Sequence, residues 1–337
     1  MKNFLLPILA TCSMQAFAQQ DSAKLYFQKG LEEKTARRYL PATRAFEKAV
    51  SFNPSMTEAY MENAQAYIQM RKLEFAKNNF LKVYELQPNN QVVIQELTDM
   101  YYNFRQYSKA IEFAGRCTAC ENSDRIIGMS YFQQEDYPAA EKALLNAIKK
   151  NPADAEATYT LARTYLDMEE YKKAVPFYEK AVNMEGGKNT WMYELGLLYY
   201  NNNNFRDAVS AFDKAAKNGY TATNDFNENY GYAALYSGNY NKGEEMLLEI
   251  FRRKPGNKDI LRDMAEIFYT QKQYDKSLEY CQKLMEMDAR DGKALYQAGL
   301  CFQKKGQKDR GQQMCDKAID MDPSLASLRQ KKEMPGM

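Results

Sequence analysis

The stretch NTWMYELGLLYYNNNNFRDAVSAFDKA, from Asn189 to Ala215, predicts two helices joined by an asparagine-rich turn. Large and small residues recur at helical spacing on both sides of that turn. Gly196 and Ala208 are small enough for the two backbones to come close, and side chains such as Tyr199 fill the space that remains. A single hairpin of this kind cannot bury its own apolar face, so we expect the pattern to recur along the chain.

The same pattern does recur, with a period of about 34 residues. Prolines check the phase independently: Pro54 and Pro88 lie one period apart, and Pro255 and Pro323 lie two periods apart. The third copy is four residues short, and a polar segment at 326–337 is predicted to form a capping helix or tail. The predicted array spans 19–325, with copies near 23–56, 57–90, 91–120, 121–154, 155–188, 189–223, 224–257, 258–291 and 292–325.

The hairpin carries Leu-Gly or Leu-Ala, an aromatic residue four positions after the leucine, then Ala, a large residue, Ala and Pro. This pattern resembles the tetratricopeptide repeat, and the resemblance covers nearly the whole chain after the first 18 residues. It implies an all-α fold, an αα-hairpin solenoid of about nine repeats wound as a right-handed superhelix. In that family the first helices of the repeats line a concave groove that binds other proteins.

The composition excludes several classes of function. The chain has 46 Lys and Arg against 44 Asp and Glu, a balance that argues against a nucleic-acid partner. It has no histidine, the commonest general base and metal ligand. No phosphate-binding loop, nucleotide-binding glycine cluster or serine nucleophile elbow is present. We therefore predict a protein that is not an enzyme and that needs neither a metal nor another cofactor.

Residues 1–18 have the features of a secretory signal peptide. Lys2 supplies the positive start, an apolar run follows, and the Ala-Phe-Ala at 16–18 fits a cleavage site. The apolar run is shorter than the ~20 residues that span a bilayer. We expect an exported bacterial protein without a membrane span, located in the periplasm. The alternative is a lipoprotein acylated at Cys12, although Thr11 is a poor residue to precede that cysteine.

The cysteines are interpreted as structural. Cys117 and Cys120 form a C-x-x-C at the end of the short third repeat, without the preceding strand of a thioredoxin-like site or the further ligands of a zinc site. We expect them on one helical face, either buried or joined in a disulfide. Cys281 and Cys315 share one repeat offset, with Cys301 between them, and this spacing favours a place in the core.

Many of the 26 tyrosines follow the repeat and are expected to have a structural role in it rather than a binding role. One set occupies a fixed offset in the first helix of each repeat, and a second set stands at the start of the second helix. The first set is Tyr67, Tyr101, Tyr131, Tyr165 and Tyr199, and the second is Tyr39, Tyr107, Tyr137, Tyr171, Tyr240 and Tyr274.

Other tyrosines and some arginines fall on offsets 2, 5, 9, 12 and 13, which line the groove in tetratricopeptide arrays. Both residue types are common anchors of protein interfaces. An alternative is that these side chains are half-buried and help neighbouring repeats to stack. The set that the resemblance implies is Tyr102, Arg125, Tyr159, Arg163, Tyr193, Tyr200, Tyr232, Tyr236, Arg262, Tyr269 and Tyr296.

The sequence leads to three hypotheses for function. The first is a scaffold or adaptor in the cell envelope that binds a peptide or partner protein in the groove. The second is an architectural subunit of an envelope or secretion assembly that uses the convex face or the chain ends. The third is glycan binding by the aromatic residues, for which Trp191 is the single tryptophan. The family's carboxylate clamp, a lysine and an asparagine, is replaced by Phe27 and Leu31 in the first repeat.

Overall fold

The structure is a computed structural model that describes residues 6–184 and 187–330, with side chains from residue 20 to residue 328. The described residues form helices and no strand, and consecutive helices pair into hairpins. The prediction of an all-α solenoid of about nine αα-hairpins is thereby confirmed. The predicted signal peptide lies partly outside the described residues, as does the end of the tail from residue 331 onward.

Eighteen of the nineteen α-helices in the described part follow one another as first and second members of hairpins. The first members are α1 (Leu6–Thr35), α3 (Thr57–Gln69), α5 (Gln91–Asn103), α7 (Ser123–Gln133), α9 (Ala155–Asp167), α11 (Asn189–Asn201), α13 (Asn224–Tyr236), α15 (Asp259–Thr270) and α17 (Gly292–Lys304). The second members are α2 (Tyr39–Phe52), α4 (Leu73–Leu86), α6 (Tyr107–Arg116), α8 (Tyr137–Lys150), α10 (Tyr171–Val182), α12 (Phe205–Lys217), α14 (Tyr240–Arg253), α16 (Tyr274–Met287) and α18 (Lys308–Met321). A 3₁₀ turn, Pro323–Leu325, and α19 (Ala326–Gln330) follow.

Every first helix ends in the same left-handed turn. Two residues after α3 ends, Arg71 has φ 57°, and the amide of Lys72 then donates to the carbonyl of Tyr67. This pattern is a Schellman motif, which satisfies the last carbonyls of a helix and reverses the chain within a few residues. The corresponding left-handed residues are Arg37, Arg71, Arg105, Glu135, Glu169, Asn203, Gly238, Lys272 and Gly306.

Small residues bring the two helices of a hairpin together, as the sequence predicts. A Cβ added at Gly196 would lie 2.5 Å from the ring of Phe212, and one added at Gly231 would lie 2.7 Å from Leu247. Phe212 and Leu247 are fully buried. The alternation therefore places a large second-helix side chain directly against a first-helix backbone in each of these hairpins.

The missing four residues of the third repeat are taken from its second helix. α6 has 10 residues, whereas α4 and α8 each have 14. Cys117 is the C-cap of α6, and Cys120 lies in the connection to α7. The expectation that both cysteines share a helical face is wrong, because the helix ends before them.

The chain divides into two compact units, and the division falls between Phe177 and Tyr178 within α10. In the first unit, one core cluster is built from α3 to α7 around Phe80, Leu97 and Tyr101. In the second, a cluster from α13 to α17 is built around Phe268 and other buried apolar side chains.

The two predicted sets of structural tyrosines differ in burial. Tyr67, Tyr101, Tyr165 and Tyr199 are buried in their first helices. The tyrosines that begin second helices are half-buried, and Tyr171 is exposed. The second set is less buried because its residues stand at helix starts, beside the turns. Tyr39 and Tyr240 still pack against core clusters, and Tyr107, Tyr137 and Tyr274 make ring contacts, as the predicted structural role requires.

Candidate functional site

All eleven residues of the predicted groove set lie on first helices. Ten are half-buried and Tyr296 is buried, so each could contribute to stacking as well as to recognition. The structure divides them into groups by what they contact.

Two of the arginines connect successive first helices. Arg262 donates to both carboxylate oxygens of Asp291, each at 3.2 Å, and Asp291 caps the start of α17. Arg125 Nη1 lies 3.5 Å from Asp154 Oδ2, and Asp154 caps α9 in the same way. Burial opposes ionisation of Asp291, but hydrogen bonds from Arg262 and the Ala294 amide outweigh it and lower the pKa of the carboxyl. Arg125 and Arg262 therefore connect neighbouring repeats.

The third arginine lies among aromatic side chains in the first unit. Arg163 Nη1 donates to the hydroxyl of Tyr159 at 3.3 Å, and its guanidinium carbon is 5.8 Å from the centre of the Phe132 ring. This is the geometry of a cation–π contact. Tyr102 makes an edge-on ring contact with Tyr107 at 5.9 Å.

Tyr193 belongs to an aromatic cluster in the second unit. Its ring stacks on Tyr220 at 4.7 Å and lies 5.5 Å from Phe226, and its hydroxyl accepts a hydrogen bond of 3.1 Å from Asn229. Such ring contacts stabilise a fold beyond the area that they bury. We use the name aromatic cluster for Tyr193, Phe212, Tyr220, Phe226 and Tyr230.

A different arrangement surrounds the other end of α11. There, side chains from α11, α13 and α15 line an open cavity of about 150 Å³. The hydroxyl of Tyr232 donates to Asp263 Oδ2 at 2.7 Å across its edge. We call this cavity the carboxylate pocket, lined by Tyr200, Tyr232, Tyr236, Asp263, Glu266 and Ile267.

Phe205, at the start of α12, supports the pocket from the side. Its ring stacks on Tyr236 at 4.6 Å and meets Tyr200 edge-on at 5.6 Å. Burial raises the pKa of both tyrosines, and neighbouring phenol and carboxyl groups add to the effect. The pKa of Tyr232 is raised by burial and by its hydrogen bond to Asp263. The phenols of the pocket are therefore protonated donors at neutral pH.

A second cavity, of about 460 Å³, lies against α15 and α17 and is lined mostly by apolar side chains. Arg262, Tyr269 and Tyr296 of the predicted set line it. Glu266 lines the side that it shares with the carboxylate pocket. We call it the apolar pocket. Leu284, Leu300, Leu325 and Leu328 supply much of its remaining wall.

The sequence reasoning missed the carboxylates of this site. Glu266 occupies offset 9 of the eighth repeat, one of the groove offsets, but the selection kept tyrosine and arginine alone. Including acidic residues at those offsets would have found it. Asp263 lies outside the offsets used, and its position became visible only through its contact with Tyr232.

A further cavity lies on the second-helix side of the second unit, among α10, α11 and α12, with a volume of about 290 Å³. Its lining includes Glu179, Tyr199, Asp207 and Lys214, none of which belongs to the predicted groove set. Tyr199 donates a hydrogen bond to Glu179 there. This cavity is lined in part by second helices, whereas the carboxylate pocket is lined by first helices alone.

The structure joins Cys117 and Cys120 in a disulfide, with their Cα atoms 5.4 Å apart. Cys281, Cys301 and Cys315 are buried free thiols, and burial raises the pKa of Cys281 to about 12. No cluster of three or more acidic or cysteine side chains in the described residues is arranged to hold a metal ion. Within the same residues, no helix combines the length and the apolar character that a membrane span requires.

Comparison with known families agrees with this architecture. A tetratricopeptide repeat model matches residues 127–189, 193–235 and 229–294, and a second model with the same description matches 57–90 and 292–325. Together these matches cover more than half of the chain. The chain belongs to the tetratricopeptide repeat family.

Individual relatives of this repeat protein are distant. It is 24% identical over 259 residues to BBSome complex member BBS4 of Bos taurus, covering 75% of this chain and 47% of that protein. It is 23% identical over 166 residues to Protein O-mannosyl-transferase TMTC3 of Homo sapiens, covering 47% and 18%. The chain thus spans less than half the length of either relative. These names assign neither a partner nor an activity to it.

Among solved structures, the repeat protein is similar to MamA from Desulfovibrio magneticus RS-1. The identity is 18% and the TM-score 0.44, covering 49% of this chain and 96% of that one. PilF of Pseudomonas aeruginosa gives 18% identity and a TM-score of 0.35, covering 74% and 99%.

Proposed function

We propose that this chain is an exported, non-enzymatic adaptor of the cell envelope that binds an extended segment of a partner protein along its first helices. The chain is a helical repeat protein of a type that serves as a general scaffold for protein interaction. The location, the lack of catalysis and the use of the first-helix surface are the proposed parts.

One observation carries the binding mode. The carboxylate pocket and the apolar pocket open on first helices of consecutive hairpins, and Glu266 lines both. Tyr200, Tyr232 and Tyr269 are half-buried in these walls and keep part of their surface accessible. Adjacent cavities with tyrosine walls suit successive side chains of one extended segment.

The raised pKa values of the pocket phenols support a role in recognition for these residues. A general base needs a pKa near the working pH. The phenols of Tyr200, Tyr232 and Tyr236 instead have their pKa values raised from an already high ordinary value. They remain hydrogen-bond donors and ring surfaces at neutral pH, which supports a binding role.

Photocrosslinking tests the binding surface. Benzoylphenylalanine placed at Tyr200 or Tyr269 keeps an aromatic ring at that position and should crosslink a partner in envelope extract. The same group at Phe75 and Tyr171, which are exposed on second helices, provides the matched control. Crosslinks from the second helices alone would overturn the proposal.

Export rests on residues 1–18 and has its own test. Mass spectrometry of the mature N-terminus should show cleavage after Ala18. Processing that stops in the presence of globomycin, with a lipid on Cys12, would instead show the lipoprotein route. An intact N-terminus in a protein retained inside the cell would contradict export altogether.

The second-helix cavity favours one alternative, an architectural subunit that uses the opposite surface. Its lining contains the carboxylates of Glu179 and Asp207 and the ammonium group of Lys214, a mixed polar surface typical of an interface rim. Substituting Ser210 with tryptophan would fill this cavity. Assembly lost in that variant, with first-helix crosslinks unchanged, would support the architectural role.

A further inference from the structure

The carboxylate pocket carries negative charge with no matching cation. Asp263 and Glu266 are exposed, and Glu228 on α13 lies close enough to act on Tyr232. Among the described residues none of these three carboxylates takes part in an ion pair. The side chain of Arg262, one position before Asp263, turns instead to Asp291.

The pKa values of the pocket tyrosines reflect this negative surface. Burial is the largest cause that raises the pKa of Tyr200 and Tyr236, and every neighbouring group that adds to it is a carboxyl or a phenol. No cation offsets these groups, whereas Arg125 has that effect at Tyr102 in the first unit. The pocket is therefore a place where a positive charge from outside would be stabilised.

The shape and the rings of the pocket restrict what could occupy it. Its 150 Å³ is below the ~300–1,000 Å³ of cavities that enclose drug-sized ligands, so it suits the end of one side chain. Tyrosine rings attract ammonium and guanidinium groups, and nearby carboxylates add to that attraction.

We infer that the carboxylate pocket binds a lysine or arginine side chain of the partner segment, and that the apolar pocket takes a bulky apolar side chain from the same segment. Charge complementarity favours the basic side chain in the carboxylate pocket. The leucine-rich wall around Leu300 and Leu328 favours the apolar side chain in the apolar pocket. This inference rests on the proposed function and names the chemistry of the partner. Its preference is opposite in sign to a carboxylate clamp, which holds an acidic group.

A peptide panel tests the inference on the full chain. The probes are fluorescein-labelled Gly/Ser peptides that carry one arginine and one phenylalanine at varied separation. Matched panels replace the arginine with citrulline, which has the same shape without charge, or with glutamate. Fluorescence polarisation should show the best arginine peptide binding about tenfold more tightly than its citrulline match. The preference should shrink as salt is raised.

Variants locate the preference. Asp263→Asn combined with Glu266→Gln should remove the arginine preference, because both residues are exposed and the substitutions keep their size. Glu245→Gln on α14 is the matched control, an exposed acid outside both pockets, and should leave it unchanged. Phe-to-Ser peptides should lose affinity for the native chain, since the apolar pocket then has no ligand.

Equal binding of arginine and citrulline peptides, or failure of every peptide to bind, would overturn the inference. So would a preference that survives the double substitution. Crosslinks from Tyr200 and Tyr269 that persist in those cases would leave the proposed function standing with a partner of other chemistry. The two failures are thus distinguishable.

Discussion

The two ends of α11 present tyrosines in opposite situations. Near its start, Tyr193 packs within the aromatic cluster, with Tyr220 stacked on it. Near its end, Tyr200 faces the open carboxylate pocket. Both residues occupy offsets that line the groove in the family. The repeat offset therefore says which side of a helix a residue occupies, and the neighbouring helices decide whether that position is packed or open.

The cause of the difference is what the next repeat and its connection bring. The connection between α12 and α13 carries Tyr220, and α13 brings Phe226, so the space around Tyr193 is filled. At the other end, α15 brings Asp263 and Glu266, which keep their charged groups in water and leave a cavity. An aromatic neighbour closes the surface, whereas a charged neighbour keeps it open.

The largest expected effect tests the packed end. Tyr193→Ala should lower the free energy of unfolding by about 2–3 kcal/mol, because it removes several ring contacts and leaves a cavity. Tyr200→Ala should cost about 1 kcal/mol, since its side chain faces an open pocket. Urea denaturation followed by circular dichroism measures both values. Equal losses would break the distinction between the two ends.

A smaller effect is expected at the arginine links. Arg262→Ala should destabilise the second unit by about 1 kcal/mol, because a two-point contact with a mostly buried carboxylate is lost. Arg125→Ala should lower the stability by only a few tenths of a kcal/mol, since its single contact with Asp154 is longer.

A double-mutant cycle between Arg262 and Asp291 isolates the pair from the role of Asp291 as a helix cap. A coupling free energy of zero between Arg262 and Asp291 would show that Arg262 is as available for a ligand as the pocket residues. The same cycle for Arg125 and Asp154 serves as the comparison.

The smallest expected effect is a change in the pKa of one of two nearby tyrosines on α13. Tyr230 donates to Asp213 in the packed cluster, and Tyr232 donates to Asp263 in the pocket. Asp263→Asn should lower the raised pKa of Tyr232 and leave that of Tyr230 in place, as phenolate absorbance can show. A fall at Tyr230 as well would mean that the two sites are not separate.

The sign of the linked stability follows from the direction of these shifts. A tyrosine whose folded pKa exceeds its unfolded value of about 10 stabilises the fold fully below that pH. The contribution is lost as the pH rises through the folded value. In the Asp263→Asn chain, the part due to Tyr232 should be lost at lower pH than in the native chain. An unchanged alkaline midpoint would contradict the assigned hydrogen bond.

Much of the fold could be predicted because its decisive contacts are local. Gly196 and Phe212 are in one hairpin, so their contact is written into a short stretch of sequence. The position of Cys117 and Cys120 outside a helix could not be predicted from the local pattern, because it depends on where α6 ends. The candidate site was predictable only as a set of offsets. Asp263 belongs to the repeat after that of Tyr232, and the repeat pattern does not predict a contact between these two positions.

The sequence by itself determined the hairpins and their number. Helical periodicity and small residues such as Gly196 act over a few turns of chain, so a linear pattern records them. Only the tertiary structure decided that Tyr193 is packed and Tyr200 borders a pocket. That distinction depends on which side chains successive repeats place against α11, and a single repeat does not contain them. Stacking between repeats, rather than the repeat itself, makes the carboxylate pocket.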